Sequence, residues 1–125
     1  MIGILATLLI GTIIDDVIKQ GKQEQKYVVI YFGNENCPWC NKMLANTLTN
    51  SFTKKLSKDI LILKLNTKTH KNTWTKIKNS MQRANQSNIT RFIPCYFMID
   101  PYTLDIEKVG NGFKTQNEFL QWISN

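Results

Sequence analysis

The sequence predicts an α/β domain: a mixed sheet, begun as parallel β-α-β units and closed by a C-terminal antiparallel hairpin, with helices on its faces. Three observations carry this. First, the runs 26–33, 60–66 and 92–99 are largely apolar and rich in β-branched or aromatic residues, and they have the length of strands. Second, apolar residues between them recur at helical spacing. Third, a turn containing Pro101 and an alternating segment follow the last run, the pattern of a hairpin.

With 125 residues, 42% hydrophobic and 20% charged, and with 6 Gly and 3 Pro, the chain fits one globular domain and not a disordered, collagen-like or multidomain protein. A domain of this size buries about two thirds of its unfolded surface and needs no disulfide or metal staple. Only three cysteines occur, and two of them form Cys37-Pro38-Trp39-Cys40, so cysteine here serves chemistry rather than scaffolding.

The net charge of +7 is unevenly placed. From Lys42 to Arg91 there are nine Lys and two Arg against one acid, Asp59, a local +10, while the remainder is net −3. Such asymmetry can serve a nucleic acid, an anionic membrane or an acidic protein. The lysines are scattered, without arginine clusters or interleaved aromatics. The plain reading is a solvated lysine-rich face, and no nucleic-acid partner is expected.

Residues Ile2 to Ile14 form an apolar run of 13, interrupted by Gly3, Thr7, Gly11 and Thr12 and closed by Asp15-Asp16. A spanning helix needs about 20 apolar residues, so this run is too short to cross a bilayer alone. No Lys or Arg precedes it and no small-x-small site follows, unlike a signal peptide. Two readings stand: a buried first strand, Ile4 to Ile10, followed by a helix through Ile13, Val17 and Ile18, or a leader or membrane anchor. Residues 1–14 are thus set apart from a domain over 15–125.

Gly21 to Lys26 reads as a polar break. The run Lys26 to Gly33 follows, continuously apolar after its lysine rather than alternating, as a strand covered on both faces should be. From Pro38 onward Leu44, Leu48, Phe52 and Leu56 recur every four residues and predict one apolar helical stripe, with Pro38 tolerated in the first turn. Residues 60–66 are a second strand. Trp74, Ile77, Met81 and Ala84 predict a helix over 71–86, ended by Asn85, Ser87 and Asn88. The run 92–99 is a strand whose Pro94 must lie at its start or edge. Leu104 to Val109 forms the hairpin partner, Gly110-Asn111-Gly112 breaks it, and Phe119, Leu120 and Ile123 give the last helix its buried stripe.

The cysteine pair therefore falls at a strand-to-helix junction. On a helix start, Cys-x-x-Cys puts both sulfurs on one face about a turn apart, close enough for a disulfide. Cys37 lies where unpaired N–H groups and the positive helix end favour a thiolate, which makes it the nucleophile. Cys40, further in, would attack the mixed disulfide on Cys37 and release the reduced partner. Two rival readings are weaker. Half a zinc site needs two more ligands, and only His70 and Cys95 remain, neither in a knuckle pattern. A structural disulfide over so short a loop constrains little.

These residues resemble the thioredoxin family. Cys37-Pro38-Trp39-Cys40 fills the family's active-site slot, with Pro-Trp closer to the glutaredoxin-style Pro-Tyr than to thioredoxin's Gly-Pro. Ile93-Pro94 resembles the family's Ile-Pro pair, Lys108-Val109-Gly110 the Lys-Val-Gly closing its last strand, and Leu63-Lys64-Leu65-Asn66 the central strand carrying its active-site lysine. The resemblance implies a thioredoxin fold from about Asp15 to the C-terminus and a thiol:disulfide oxidoreductase. Cys37 and Cys40 would be catalytic, and a cis Pro94 with Ile93, Trp39 and Pro38 would position substrate. It requires no metal or organic cofactor. The partners implied are protein thiols and disulfides and a redox partner protein or glutathione, with the chain a monomer. Trp39 is expected to be exposed as a contact surface, Trp74 and Trp122 to pack helices, and Cys95 to be buried and inert.

One departure bears on mechanism. Six residues before its first cysteine thioredoxin carries a buried Asp that moves the resolving cysteine's proton; here Tyr31 stands there. Lys64 lacks that partner, and Glu35 is the nearest carboxylate in sequence. Tyr31, Lys64 and Glu35 are the candidates for proton transfer. The segment between Lys64 and Ile93, longer than in thioredoxin, carries Lys68, Lys71, Lys76, Lys78, Arg83 and Arg91, a basic helix expected to select partners or, in the alternative of a non-turnover binding module, to hold them. The apolar start favours an exported or membrane-tethered protein over a cytoplasmic one.

Overall fold

The computed structural model describes Ile2–Gly3 and residues 12–125. Its elements are β1 (Ile2–Gly3), α1 (Ile13–Glu24), β2 (Tyr27–Gly33), α2 (Pro38–Asn46), α3 (Asn50–Leu56), β3 (Ile60–Asn66), α4 (Lys71–Arg83), β4 (Cys95–Ile99), β5 (Asp105–Asn111) and α5 (Gln116–Ser124). The strands form a mixed sheet in the order β1-β5-β4-β2-β3. β2 and β3 are parallel, with Tyr31 opposite Lys64, whereas β4 runs antiparallel to β2 and to β5. The expected parallel unit and hairpin are both present. The expected strand Ile4 to Ile10 lies outside the described residues.

Both faces of the sheet are covered, which is why β2 is apolar without alternation. Val28, Ile30 and Phe32 point toward α1 and α4, where Ile14, Ile18, Ile77 and Met81 complete one core. Val29 and Tyr31 point the other way, into a second core with Met43, Phe52 and Phe119. Trp74 and Trp122 each pack partly buried on one of these cores, as expected.

The structure revises four expectations. The stretch from Gly21 is not a break, because α1 continues to Glu24; a Cβ on Gly21 would meet Val28 Cγ2 at 2.8 Å, so this glycine serves the close approach of helix and strand. The helix ends instead at Gln25, which takes φ 58 and donates its N–H to the Gly21 and Lys22 carbonyls.

The single stripe from Leu44 to Leu56 is two helices. Lys64 Nζ donates to the Leu48 carbonyl at 2.8 Å, so a side chain from β3 takes a backbone acceptor at the break, and the Thr47 hydroxyl donates to the Lys114 carbonyl, tying the break to the segment before α5. Thr49 then caps α3 by accepting the Phe52 N–H at 3.2 Å. Leu48 and Phe52 are buried, but Leu44 is exposed. In α5 the fully buried residue is Phe119, while Leu120 faces solvent and Trp122 takes the place assigned to it. Finally, strand order begins only at Cys95 rather than Phe92, leaving Pro94 just before β4, and β5 runs through Gly110 to Asn111.

Candidate active site

Gly33 ends β2, and the chain must turn within a few residues to start α2. Asn34 organises that turn: its Oδ1 accepts the Asn36 N–H at 3.0 Å, its carbonyl accepts the Cys37 N–H at 3.2 Å, and its amide donates to Thr67 Oγ1 at 3.0 Å. The sequence reading did not single out Asn34, although an Asn three residues before a helix cap is an Asx-turn signal. Cys37 is the N-cap of α2 and Pro38 is its first helical residue. The Cys37 sulfur accepts the Cys40 N–H at 3.1 Å, and no acid lies in the first turn to oppose negative charge there.

Cys37 and Cys40 are joined as a disulfide with Cα atoms 5.1 Å apart. Their environments differ. Cys37 is partly exposed, whereas Cys40 is fully buried against the end of β2. Gly33 permits that burial, since a Cβ there would lie 3.0 Å from Cys40 Sγ and 2.7 Å from the Tyr31 hydroxyl. The Ile93–Pro94 peptide bond is cis, and the Ile93 carbonyl oxygen lies 3.6 Å from Cys37 Sγ. The Gly112 N–H donates to the Pro94 carbonyl at 2.8 Å, tying the exit of β5 to this loop. Pro38 and Trp39 are exposed, and Trp39 retains 58% of its accessible surface.

Tyr31, Lys64 and Glu35 come together around one cavity of about 220 Å³ that also touches Gly33, Asn41 and Asn66. The Tyr31 hydroxyl donates to the Cys40 carbonyl at 3.3 Å, and burial pushes the phenol well above its ordinary acidity range. Desolvation lowers the Lys64 ammonium below the usual lysine value. Glu35 is exposed and already engaged. Its Oε2 accepts from the Asn66 amide at 2.7 Å and its Oε1 lies 3.5 Å from Lys68, and these contacts, Asn66 foremost, hold its carboxyl below the ordinary range.

Cys95, fully buried at the start of β4, is pushed up to about 12 by burial. An acid weakened by folding leaves stability intact below its unfolded value, 9.0, and the contribution is lost as pH rises toward about 12, where only the unfolded chain has released the proton. The buried phenols of Tyr31 and Tyr96 are shifted in the same direction. Denaturant midpoints should therefore fall between pH 8 and pH 11, and fall less in Cys95→Ala relative to its own value at pH 8. An equal fall in the variant would show that Cys95 takes no part.

Residues 14–125 match the family of thioredoxin-like domains. The chain belongs to the thioredoxin-like family. Among proteins of curated function none matches in sequence. Solved structures agree on the fold. A thioredoxin from Thermus thermophilus superposes with a TM-score of 0.62 at 16% identity, over 85% of this chain and 77% of that one. The C-terminal domain of DsbD from Neisseria meningitidis, in its oxidised form, gives 0.59 at 17% identity over 99% and 97%. An exposed lipoprotein thioredoxin of Streptococcus pneumoniae gives 0.58 at 17% identity over 83% and 87%. Within this thioredoxin-like domain the Cys37/Cys40 pair occupies the redox-motif position at the start of α2.

Proposed function

We propose that this thioredoxin-like domain exchanges disulfides with protein substrates, Cys37 being the nucleophile and Cys40 the resolving thiol. The observation that supports this most is the asymmetry of the pair: a partly exposed sulfur on a helix N-terminus without an acidic residue in its first turn, bonded to a sulfur that is fully buried. In the reducing direction the Cys37 thiolate attacks one sulfur of a partner disulfide. That bond breaks, the partner's second sulfur leaves and takes up a proton, and Cys37 holds the first as a mixed disulfide. Cys40 then gives up its proton and attacks Cys37. The partner leaves with both thiols, two electrons richer, and the protein keeps the disulfide. A dithiol, or two molecules of a monothiol such as glutathione, must then supply two electrons to restore the pair. The reverse sequence oxidises a dithiol.

Pro94 and Ile93 are assigned to positioning the substrate chain beside Cys37, with Trp39 and Pro38 as its contact surface. For the proton of Cys40 we assign Tyr31, whose hydroxyl reaches the Cys40 carbonyl, and Lys64, whose hold on its proton desolvation weakens, rather than Glu35, which is exposed and held by Asn66 and Lys68. Tyr31→Phe should then slow resolution of the mixed disulfide without slowing alkylation of Cys37. We also place the protein outside the cytoplasm, which the lipoprotein thioredoxin among its structural neighbours supports; Ile2–Gly3 pairs with β5 and Ile14 is buried in the core, so these residues of the apolar start serve the fold. Among the described residues no helix is long and apolar enough to cross a membrane.

The decisive experiment combines insulin reduction with trapping. The wild-type protein should catalyse reduction of insulin by dithiothreitol, Cys37→Ser should not, and Cys40→Ala should accumulate a mixed disulfide through Cys37. Absence of both turnover and trapped partner would leave a thioredoxin-fold binding module as the reading. Replacing dithiothreitol with glutathione tests which reductant the pair accepts.

A further inference from the structure

Beside Cys37 the exposed Trp39 ring leans on Phe113 with centroids 6.1 Å apart, and both rings carry the same cation. Lys42 Nζ lies 5.0 Å from the Trp39 centroid and 4.7 Å from that of Phe113. A cation between two aromatic rings is held in place, and its aliphatic stem covers apolar surface. Lys42 therefore presents a fixed charge instead of a freely moving one.

That charge has no carboxylate. The lysines with acidic partners among the described residues are Lys19, Lys26 and Lys68. Glu35, the acid nearest Cys37 in sequence, is taken by Asn66 and Lys68. The loop leading to Ile93, whose carbonyl oxygen lies 3.6 Å from Cys37 Sγ, carries Arg91 and Phe92, both exposed, Phe92 at 63%. The surround of Cys37 is thus apolar and positive, in a chain of net charge +7. Exposed aromatics are the usual anchors of an interface, and like-signed charge around them selects an oppositely charged partner and speeds its approach.

We propose that the polypeptide whose disulfide Cys37 attacks carries an acidic residue next to its cysteine, and that Lys42, held on Trp39 and Phe113, receives that carboxylate. This rests on the thiol–disulfide exchange reading above and specifies its substrate class. Lys42 would act on partner choice and rate of encounter, not on bond making.

The test uses the reduced full-length protein and synthetic disulfide peptides identical except for Glu, Gln or Lys before the cysteine. The readout is the second-order rate of reduction. At about 0.01 M salt the Glu peptide should react roughly two- to fivefold faster than the Gln peptide, and the Lys peptide slower than both. At about 1 M salt, where screening reaches only about 3 Å, the rates should converge. Lys42→Gln should narrow the order and Lys42→Glu should invert it. Rates of Cys37 alkylation in these variants verify that the site is folded. Equal wild-type rates for all peptides, with turnover still dependent on Cys37, would mean that apolar contact alone chooses the partner, and would overturn this proposal while leaving the oxidoreductase reading intact. An unchanged order in Lys42→Glu would overturn it too. No reduction of any peptide would remove both readings.

Discussion

Phe119→Ala is expected to destabilise the fold by about 3–5 kcal/mol, a large share of the roughly 5–15 kcal/mol that holds a domain of ordinary stability together. The ring is fully buried and is the meeting point of one core. Its centroid lies 6.3 Å from Phe52, 6.0 Å from Tyr96 and 5.4 Å from Trp122. Truncation removes the apolar contact and leaves a void that three rigid rings cannot easily fill. Helix α5 should persist, because its start is fixed by a reciprocal capping box in which Thr115 accepts from the Glu118 N–H at 3.2 Å and Glu118 from the Thr115 N–H at 2.9 Å. The measurement is the denaturant midpoint at constant slope. Leu120→Ala, one residue on but exposed, is the control and should change stability by no more than about 0.5 kcal/mol. A loss below about 1 kcal/mol in Phe119→Ala would place the ring outside the core.

Gly33→Ala should disturb both stability and the cysteine pair. The added methyl would lie 2.7 Å from the Tyr31 hydroxyl and 3.1 Å from Cys40 Cβ, distances at which one neighbour must move. Tyr31 is buried and can retreat little; Cys40 is tethered to Cys37 and to the start of α2. Overpacking of this kind costs about 1–3 kcal/mol. The strain falls on Cys40 and on the Tyr31 hydrogen bond to its carbonyl, so the redox equilibrium of the pair with a glutathione buffer should shift along with the denaturant midpoint. Unfolding at the wild-type midpoint together with an unshifted redox equilibrium would show that the contact is slack.

The chain's order of elements was largely readable because each has a local cause. Continuous apolarity in 27–33 follows from a strand covered on both faces, and the Cys37 N-cap with Pro38 behind it follows from the needs of a helix start. Where the reading failed, distant groups had intervened. Four-residue spacing alone cannot reveal that Lys64 will take the Leu48 carbonyl and that the Thr47 hydroxyl will bond the distant Lys114 carbonyl where the stripe splits into two helices. Nor can it reveal that Gly21 is kept for the approach of Val28 instead of a turn, or that Trp122 rather than Leu120 faces the core.

By itself the sequence determined the layered α/β class, the placement of the cysteine pair at a helix mouth and the candidate residues around it, since all three depend on residue type and short spacing. Only the tertiary structure decided that Cys40 is sealed behind Gly33, that Tyr31, Lys64 and Glu35 line one cavity with the Glu35 carboxylate held by Asn66 and Lys68, and that Lys42 sits on Trp39 and Phe113. Those facts join residues distant along the chain, and their geometry exists only once the sheet has fixed its register.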